Sequence, residues 1–377
     1  MRFHIIGVPH TVSSKLFNAC AFTQKIVKFG KMMTERGHTV IHYGHEESDL
    51  ICSEHVTVIT KSDFERCYGS NDWKSTFFKY NAEKDEAYKI FFANAITEIA
   101  KRKKPLDFLL PFWGANVRPI CDAHSDMIVV EPGIGYSGGH WARWKIWESY
   151  AIYHASCGLE SVGKCKQDNY SVVIPNYFDA DDFEYCDESE KEDYFLYLGR
   201  VYQGKGVSIA IEACIKANVK LIIAGQKEVG YNIPENKNIQ FIGYADINKR
   251  KELMKKAKAS FVASQYLEPF GGVQIENLLS GTPTITTDWG CFAENNIHGY
   301  TGYRCRTMGD YIEAIEECKK GSIKSKNCRT YGENFLFEKI APRYEKYFQD
   351  VLDVYTGAGW YSKGNGLSSL IQNLPTI

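Results

Sequence analysis

Short apolar runs alternate with helix-period segments from one end of this chain to the other, and that alternation leaves few folds open. A strand that reads as one continuous apolar run must be covered on both faces. A helix after each strand supplies the cover, so the pattern predicts an α/β protein built on parallel sheets. In the first half the strands are RFHIIG, the TVIHYG that follows Gly37, HVTVIT, LDFLLPF and MIVVE. Helices are predicted over about 16–36, stopped by Gly37, and at EAYKIFFANAITEIAKRK. Pro175-Asn176 and an acidic, turn-rich run then break the pattern, placing a linker at about 172–192. A second alternation follows, with strands at YFLYLG, VKLIIAG, NIQFIG, ASFVAS and TPTITTD. Two doubly wound Rossmann-like domains in tandem are implied, with a cleft between the carboxyl ends of their strands.

Length and charge agree with this division. The 377 residues suit two domains, and 45 Lys plus Arg against 46 Asp plus Glu give no overall attraction to nucleic acid or anionic membrane. A small ligand is expected, with at most peripheral membrane contact. The twelve cysteines show neither a disulfide framework nor a Cys-x-x-Cys pair, which suits reduced thiols and a soluble, cytoplasmic protein. MRFHIIGVPHTV reads as a first strand and not a signal peptide, and no apolar run approaches the ~18 residues of a membrane span. KRKK at 101–104 reads as a solvated helix end and WARWKIW at 141–147 as a buried helix face.

From Gly199 to Lys205 the sequence spells G-x-x-x-x-G-K between a strand and a helix, the outline of a nucleotide hydrolase loop. The next residue is Gly206, where such a hydrolase needs Ser or Thr to hold magnesium. What survives is electrostatic: Arg200 offers a bidentate fork and Lys205 a point charge, together suited to a diphosphate. Taken alone, two surface cations in a loop explain the segment equally well. Sixty residues on, a strand is followed by Glu268, the turn Pro269-Phe270-Gly271-Gly272 and a short helix carrying Glu276. The two glycines leave the N–H groups of the helix start open to an anion, and carboxylates near such a start can accept hydrogen bonds from sugar or ribose hydroxyls.

Gly199-Arg200 with Lys205-Gly206, followed by E-P-F-G-G-x-x-x-E from Glu268 to Glu276, resembles the donor site of retaining glycosyltransferases of the GT-B fold, family GT4. RGHTVIHYG, VIPNYFDADDF, AIEA and SGTPTITTDWG add to the resemblance, which extends to glycosyltransferases encoded by large DNA viruses of algae. It implies an acceptor-side domain over 1–175, a nucleotide-sugar domain over 176–335, and a crossover helix and tail over 336–377. It also implies that Arg200 and Lys205 bind the donor diphosphate, Glu276 the ribose hydroxyls and Glu268 the transferred sugar. Gly199 and the amides of Phe270, Gly271 and Gly272 complete the donor site. The expected reaction moves a hexose from a nucleoside-diphosphate sugar to a glycan or other hydroxyl acceptor, with retention, without metal and without a cofactor. GDP-mannose is favoured over UDP-glucose because mannosyl donors are common among similar proteins.

Other features compete. Asp179-Ala180-Asp181 imitates an Asp-x-Asp metal motif but lies in the acidic linker and reads as a solvated turn. Gly133, Gly135 and Gly138 satisfy G-x-G-x-x-G, yet Pro132 interrupts the approach, so a cleft loop is expected there. His140 is a candidate catalytic residue near the sugar or acceptor, with a packed or capping histidine as the alternative. His42 and His45 read as part of a surface loop. His10 to Ser14 replace the family's Gly-Gly turn after the first strand, and Glu294 is expected near the nucleotide, with a helix cap as the alternative. Two other functions remain open on the same scaffold: a nucleotide-sugar-binding protein without transfer, and a sugar-phosphate phosphorylase or synthase.

Overall fold

In the computed structural model of the protein, residues 1–18, 20–69, 79–136, 138–160 and 169–361 are described. The N-terminal sheet consists of β1 (Arg2–Ile6), β2 (Thr39–His45), β3 (Glu54–Ile59), β4 (Phe108–Leu110), β5 (Ile128–Ile134), β6 (Trp144–Trp147) and β7 (Ser171–Val173). Its seven strands are parallel, in the order β3-β2-β1-β4-β5-β6-β7. The C-terminal sheet consists of β8 (Phe195–Leu198), β9 (Leu221–Ala224), β10 (Ile239–Gly243), β11 (Ala259–Val262), β12 (Thr284–Thr287) and β13 (Gly302–Cys305). It too is parallel, in the order β10-β9-β8-β11-β12-β13. Strand order reverses between β1 and β4 and between β8 and β11, the points at which doubly wound sheets open a crevice.

The chain crosses between the domains twice, and the two crossings run side by side. Phe178 N donates to Phe335 O at 2.9 Å and Phe337 N to Phe178 O at 3.0 Å. After the second crossing, the helix Phe337–Thr356 returns to the N-terminal domain. Its Phe348 ring lies 4.7 Å from Phe3 and 4.9 Å from Phe108, inside the same core as β1 and β4. The stretch read as a linker is therefore anchored at both ends: β7 begins it, Tyr177 and Phe178 are buried, and Cys186 is buried on the C-terminal side.

Three local expectations differ from the structure. WKIW is β6 and not a helix face, because a strand buried on both sides carries no period that distinguishes it from a buried helix segment. His42 and His45 are not in a surface loop: β2 runs through His45, and both side chains are buried. His42 Nδ1 lies 2.9 Å from His55 Nδ1 and its Nε2 3.0 Å from Ser13 Oγ; burial, and then the neighbouring His55, hold it well below the ordinary histidine pKa. Asp179 is buried where a solvated turn was expected: its carboxylate caps Asp181 N at 3.2 Å and pairs with Lys31. Every described cysteine is free, and among the described residues no helix is long and apolar enough to cross a membrane.

Candidate functional site

A cleft of about 470 Å³ lies between the carboxyl ends of the two sheets. The loop after β1, the helix Ala21–Glu35 and residues following β5, β6 and β7 line one wall, and residues following β8, β9, β10 and β11 line the other. Seven Lys and Arg side chains border it against four Asp and Glu, although the chain as a whole is nearly neutral. The site therefore favours an anionic ligand.

The strand pairing brings together residues that are sixty apart in sequence. β8 and β11 are neighbours, with Tyr197 opposite Phe261, so their loops leave the sheet side by side at the reversal of strand order. The loop after β8 carries Gly199 and Arg200, a turn of 3₁₀ helix over Gln203–Lys205, and Gly206, which opens the helix Val207–Lys216. Gly206 has φ +69°, and a Cβ there would lie 1.8 Å from the carbonyl oxygen of Ala263. A Ser or Thr of the hydrolase type cannot occupy that point. In the loop after β11, Gly271 has φ +74° and a Cβ would meet the Phe292 ring at 2.6 Å, so glycine is required where the helix Gly272–Leu279 begins.

Lys205 Nζ lies 2.7 Å from Glu268 Oε2, and the same oxygen accepts Ser264 Oγ–H at 2.6 Å. Burial alone pushes the Glu268 carboxyl up. The Lys205 charge and hydrogen bonds from Lys205, Ser264 and Tyr266 outweigh it and hold Glu268 below the ordinary glutamate value. Burial, then the Glu268 charge and hydrogen bond, raise the Tyr266 phenol, which stays protonated as a donor. The Arg200 guanidinium lies over Tyr202 at 5.6 Å and lines the cleft. Phe270 lines it as well, but its ring is packed between Phe178 and Phe335, and Asn295 Nδ2 donates to its carbonyl at 3.0 Å, fixing the turn.

Glu276 reaches the cleft from the second turn of its helix, and its Oε2 accepts Arg250 Nη2–H at 2.7 Å. Opposite, the N-terminal wall holds Lys25, Lys28, Glu148 and Asn176. Lys25 pairs with Glu148 and donates to Gly133 O at 2.9 Å; burial drives its ammonium down to about 7. Gly135 leaves room for that carboxylate, since a Cβ there would lie 2.7 Å from it. Asn176 Oδ1 and Asn18 Nδ2 are buried in this lining without a hydrogen-bond partner among the described residues.

The structure brings Gly199, Arg200, Lys205, Glu268, Phe270, Gly271, Gly272 and Glu276 to one cleft. His140 is not among the residues that line it. Its ring packs edge-on against Trp147 at 4.8 Å and its Nε2 lies 2.8 Å from Glu160, the contacts of a packed histidine. Glu294 likewise lies away from the lining residues and caps a helix of the opposite domain. Its carboxylate accepts Tyr150 N–H at 3.0 Å and Ala151 N–H at 2.7 Å, at the start of Tyr150–Glu160. The first loop turns inward: His10, Thr11, Ser13 and Ser14 are buried, and Lys15 and Asn18 beyond them reach the cleft. Among the described residues no cluster of three or more His, Cys, Asp or Glu side chains is arranged to hold a metal ion.

Sequence reasoning missed Lys25, Lys28, Glu148 and Arg250. Arg250 is one cation among several in NKRKELMKK, and nothing local sets it apart. Glu148 was accessible in principle, because it directly follows a buried strand at its carboxyl end, but that strand had been read as helix.

The family model described as Glycosyl transferases group 1 matches residues 180–335. An uncharacterized glycosyltransferase of Methanocaldococcus jannaschii is 25% identical over 237 residues, which are 52% of this chain and 60% of that protein. Among solved structures, a glycosyltransferase involved in avilamycin A biosynthesis superposes with a TM-score of 0.66 at 18% identity, covering 93% of this chain and 98% of the other. HepE of Anabaena, solved in complex with UDP-glucose, gives 0.65 at 14% identity, covering 94% and 99%. The architecture is that of these proteins: two Rossmann-like parallel-sheet domains facing a cleft, the GT-B fold.

Proposed function

We propose that the protein is a glycosyltransferase that moves a hexose from a nucleoside-diphosphate sugar to a hydroxyl of a glycan or similar acceptor, retaining the anomeric configuration and needing no metal. The observation that carries this reading is the convergence of Arg200, the Lys205–Glu268 pair and the glycine-opened start of Gly272–Leu279 on one cation-rich cleft. Breaking a sugar–phosphate bond leaves an extra negative charge on the diphosphate. Arg200, Lys205 and the N–H groups of Gly271 and Gly272 stabilise it where it develops. Glu268, held ionised, is an acceptor of hydrogen bonds and not a proton donor, which suits a carboxylate that orients sugar hydroxyls. The departing phosphate takes the acceptor's proton on the same face. Glu276 holds the ribose. The resemblance favours GDP-mannose as donor, whereas HepE was solved with UDP-glucose, so the base is to be measured directly.

The test is thermal shift with GDP, UDP, ADP and their hexose conjugates, with and without magnesium, followed by mass spectrometry for transfer to a panel of methyl hexosides. One nucleoside diphosphate and its sugar conjugate are expected to stabilise the protein without metal, by about 2.7 kcal/mol at a hundredfold excess over Kd. Equal indifference to all of them overturns the reading.

A further inference from the structure

The cleft contains a carboxylate whose two oxygens are treated differently. Glu276 Oε2 is held by Arg250 at 2.7 Å, while Oε1 makes no hydrogen bond among the described residues and the side chain keeps 17% exposure at the cleft. Arg250 is itself fixed. It sits in the first turn of Ile247–Lys256, whose start is capped by Asp246 accepting Lys249 N–H at 2.8 Å, and its own N–H donates to Asp246 O at 2.9 Å. On the other side, Lys28 of the N-terminal helix Ala21–Glu35 projects its ammonium over Phe178 at 4.4 Å, without an ion-pair partner among the described residues. Glu276 thus lies between cations from opposite domains, with Asp179 and Asp182 also facing Lys28, in a cleft whose lining carries more cations than carboxylates and suits an anionic ligand also carrying hydroxyls.

We propose that Arg250 is the positioning residue of a ribose-reading site: by holding Oε2 it fixes the rotamer of Glu276 and presents Oε1 to the 2′- or 3′-hydroxyl of a nucleoside diphosphate. The inference rests on the donor-site reading above and adds to it the group that makes the Glu276 contact selective. Arg250 also offsets the charge of Glu276, so that a carboxylate can stand close to a diphosphate without repelling it. A free glutamate on a helix would sample several rotamers and lose that entropy on binding; the arginine removes the loss in advance.

The experiment measures, by calorimetry, the affinities of UDP and GDP, their 2′-deoxy and 3′-deoxy forms, and inorganic pyrophosphate, for the wild type, Arg250→Met and Arg250→Lys. In the wild type, removing the contacted hydroxyl from the base that binds is expected to weaken binding about tenfold to a hundredfold, the range of a hydrogen bond to a charged group. In Arg250→Met that ratio should fall to about twofold or less, while pyrophosphate affinity changes far less than nucleotide affinity. Arg250→Lys, which keeps the charge, should recover part of the ratio. Three results overturn the inference and leave the donor site standing: a wild type that binds nucleotide but ignores the deoxy substitution, an Arg250→Met protein that keeps the full ratio, or equal loss of nucleotide and pyrophosphate. Failure of the wild type to bind any nucleoside diphosphate overturns the donor-site reading, and this inference with it.

Discussion

Replacing Lys205 by Met tests the electrostatics of the cleft without any knowledge of the substrate. In the wild type the Glu268 side chain is 11% exposed and Lys205 23%, so the pair stands between a surface ion pair and a fully buried one. Exposed pairs contribute at most about 1 kcal/mol, and breaking a fully buried pair costs about 3–5. About 2 kcal/mol is expected for Lys205→Met at neutral pH, because Glu268 is left buried with only Ser264 and Tyr266 as donors. The pH dependence carries a sharper signature. With its folded pKa depressed, wild-type Glu268 contributes stability that is present above the ordinary glutamate value of about 4.3 and is lost as pH falls through the folded value. Without Lys205, burial becomes the dominant influence and the folded pKa rises above the ordinary one. The contribution is then present at low pH and is lost as pH rises through the new value. The gap in melting temperature between wild type and Lys205→Met should therefore be wide at pH 7.5 and narrow at pH 5, both followed by circular dichroism. Adding Glu268→Gln to Lys205→Met should restore most of the loss at pH 7.5. A gap independent of pH, or a double variant no more stable than the single one, refutes the account of a carboxylate held ionised by its lysine.

Glu294→Ala removes a cap that spans the two domains and should cost about 1 kcal/mol, with faster hydrogen exchange at the amides of Tyr150 and Ala151. Unchanged exchange at those two amides would show that the cap contributes nothing. Gly206→Ala combines a left-handed backbone, worth about 1–2 kcal/mol for a residue with a Cβ, with a clash against Ala263 O that only backbone movement relieves. Melting temperature should drop and nucleotide affinity with it, and wild-type values for both would refute the packing argument. Phe348→Ala empties a site enclosed by Phe3, Phe29 and Phe108 and should destabilise the N-terminal domain by about 3–5 kcal/mol although residue 348 follows the C-terminal sheet. Exchange rates in β1 and β4 report it, and a loss confined to the C-terminal domain would contradict the observed packing.

Much of the candidate site's lining was legible because it is written in residue types that have few other reasons to occur in that order. Gly206 and Gly271 mark backbone positions that reject a side chain; Arg200, Lys205 and Glu268 stand in the connections that follow recognisable strands, and Glu276 in the helix that the second of these opens. His140 was not legible. Its position after a glycine-rich loop resembled a cleft residue, but the Trp147 ring of β6, a strand that periodicity does not reveal, and Glu160 at the end of the helix Tyr150–Glu160 lie against it. Glu294 shows the same limit. The carboxylate lies in the short helix Phe292–Asn295 after β12, and its partners are backbone amides more than 140 residues away in the other domain.

The sequence by itself determined the alternation of strand and helix, hence two parallel sheets, and it determined which loops could admit an anion, because glycine and charge act locally. Only the tertiary structure decided which side chains share the cleft. The order of strands, with β8 beside β11, sets Lys205 against Glu268, and the packing of the helix Ile247–Lys256 sets Arg250 against Glu276. Those pairings follow from the burial of faces distant in sequence, which no local pattern encodes. The facing of the two walls depends further on a helix that crosses back into the first domain's core.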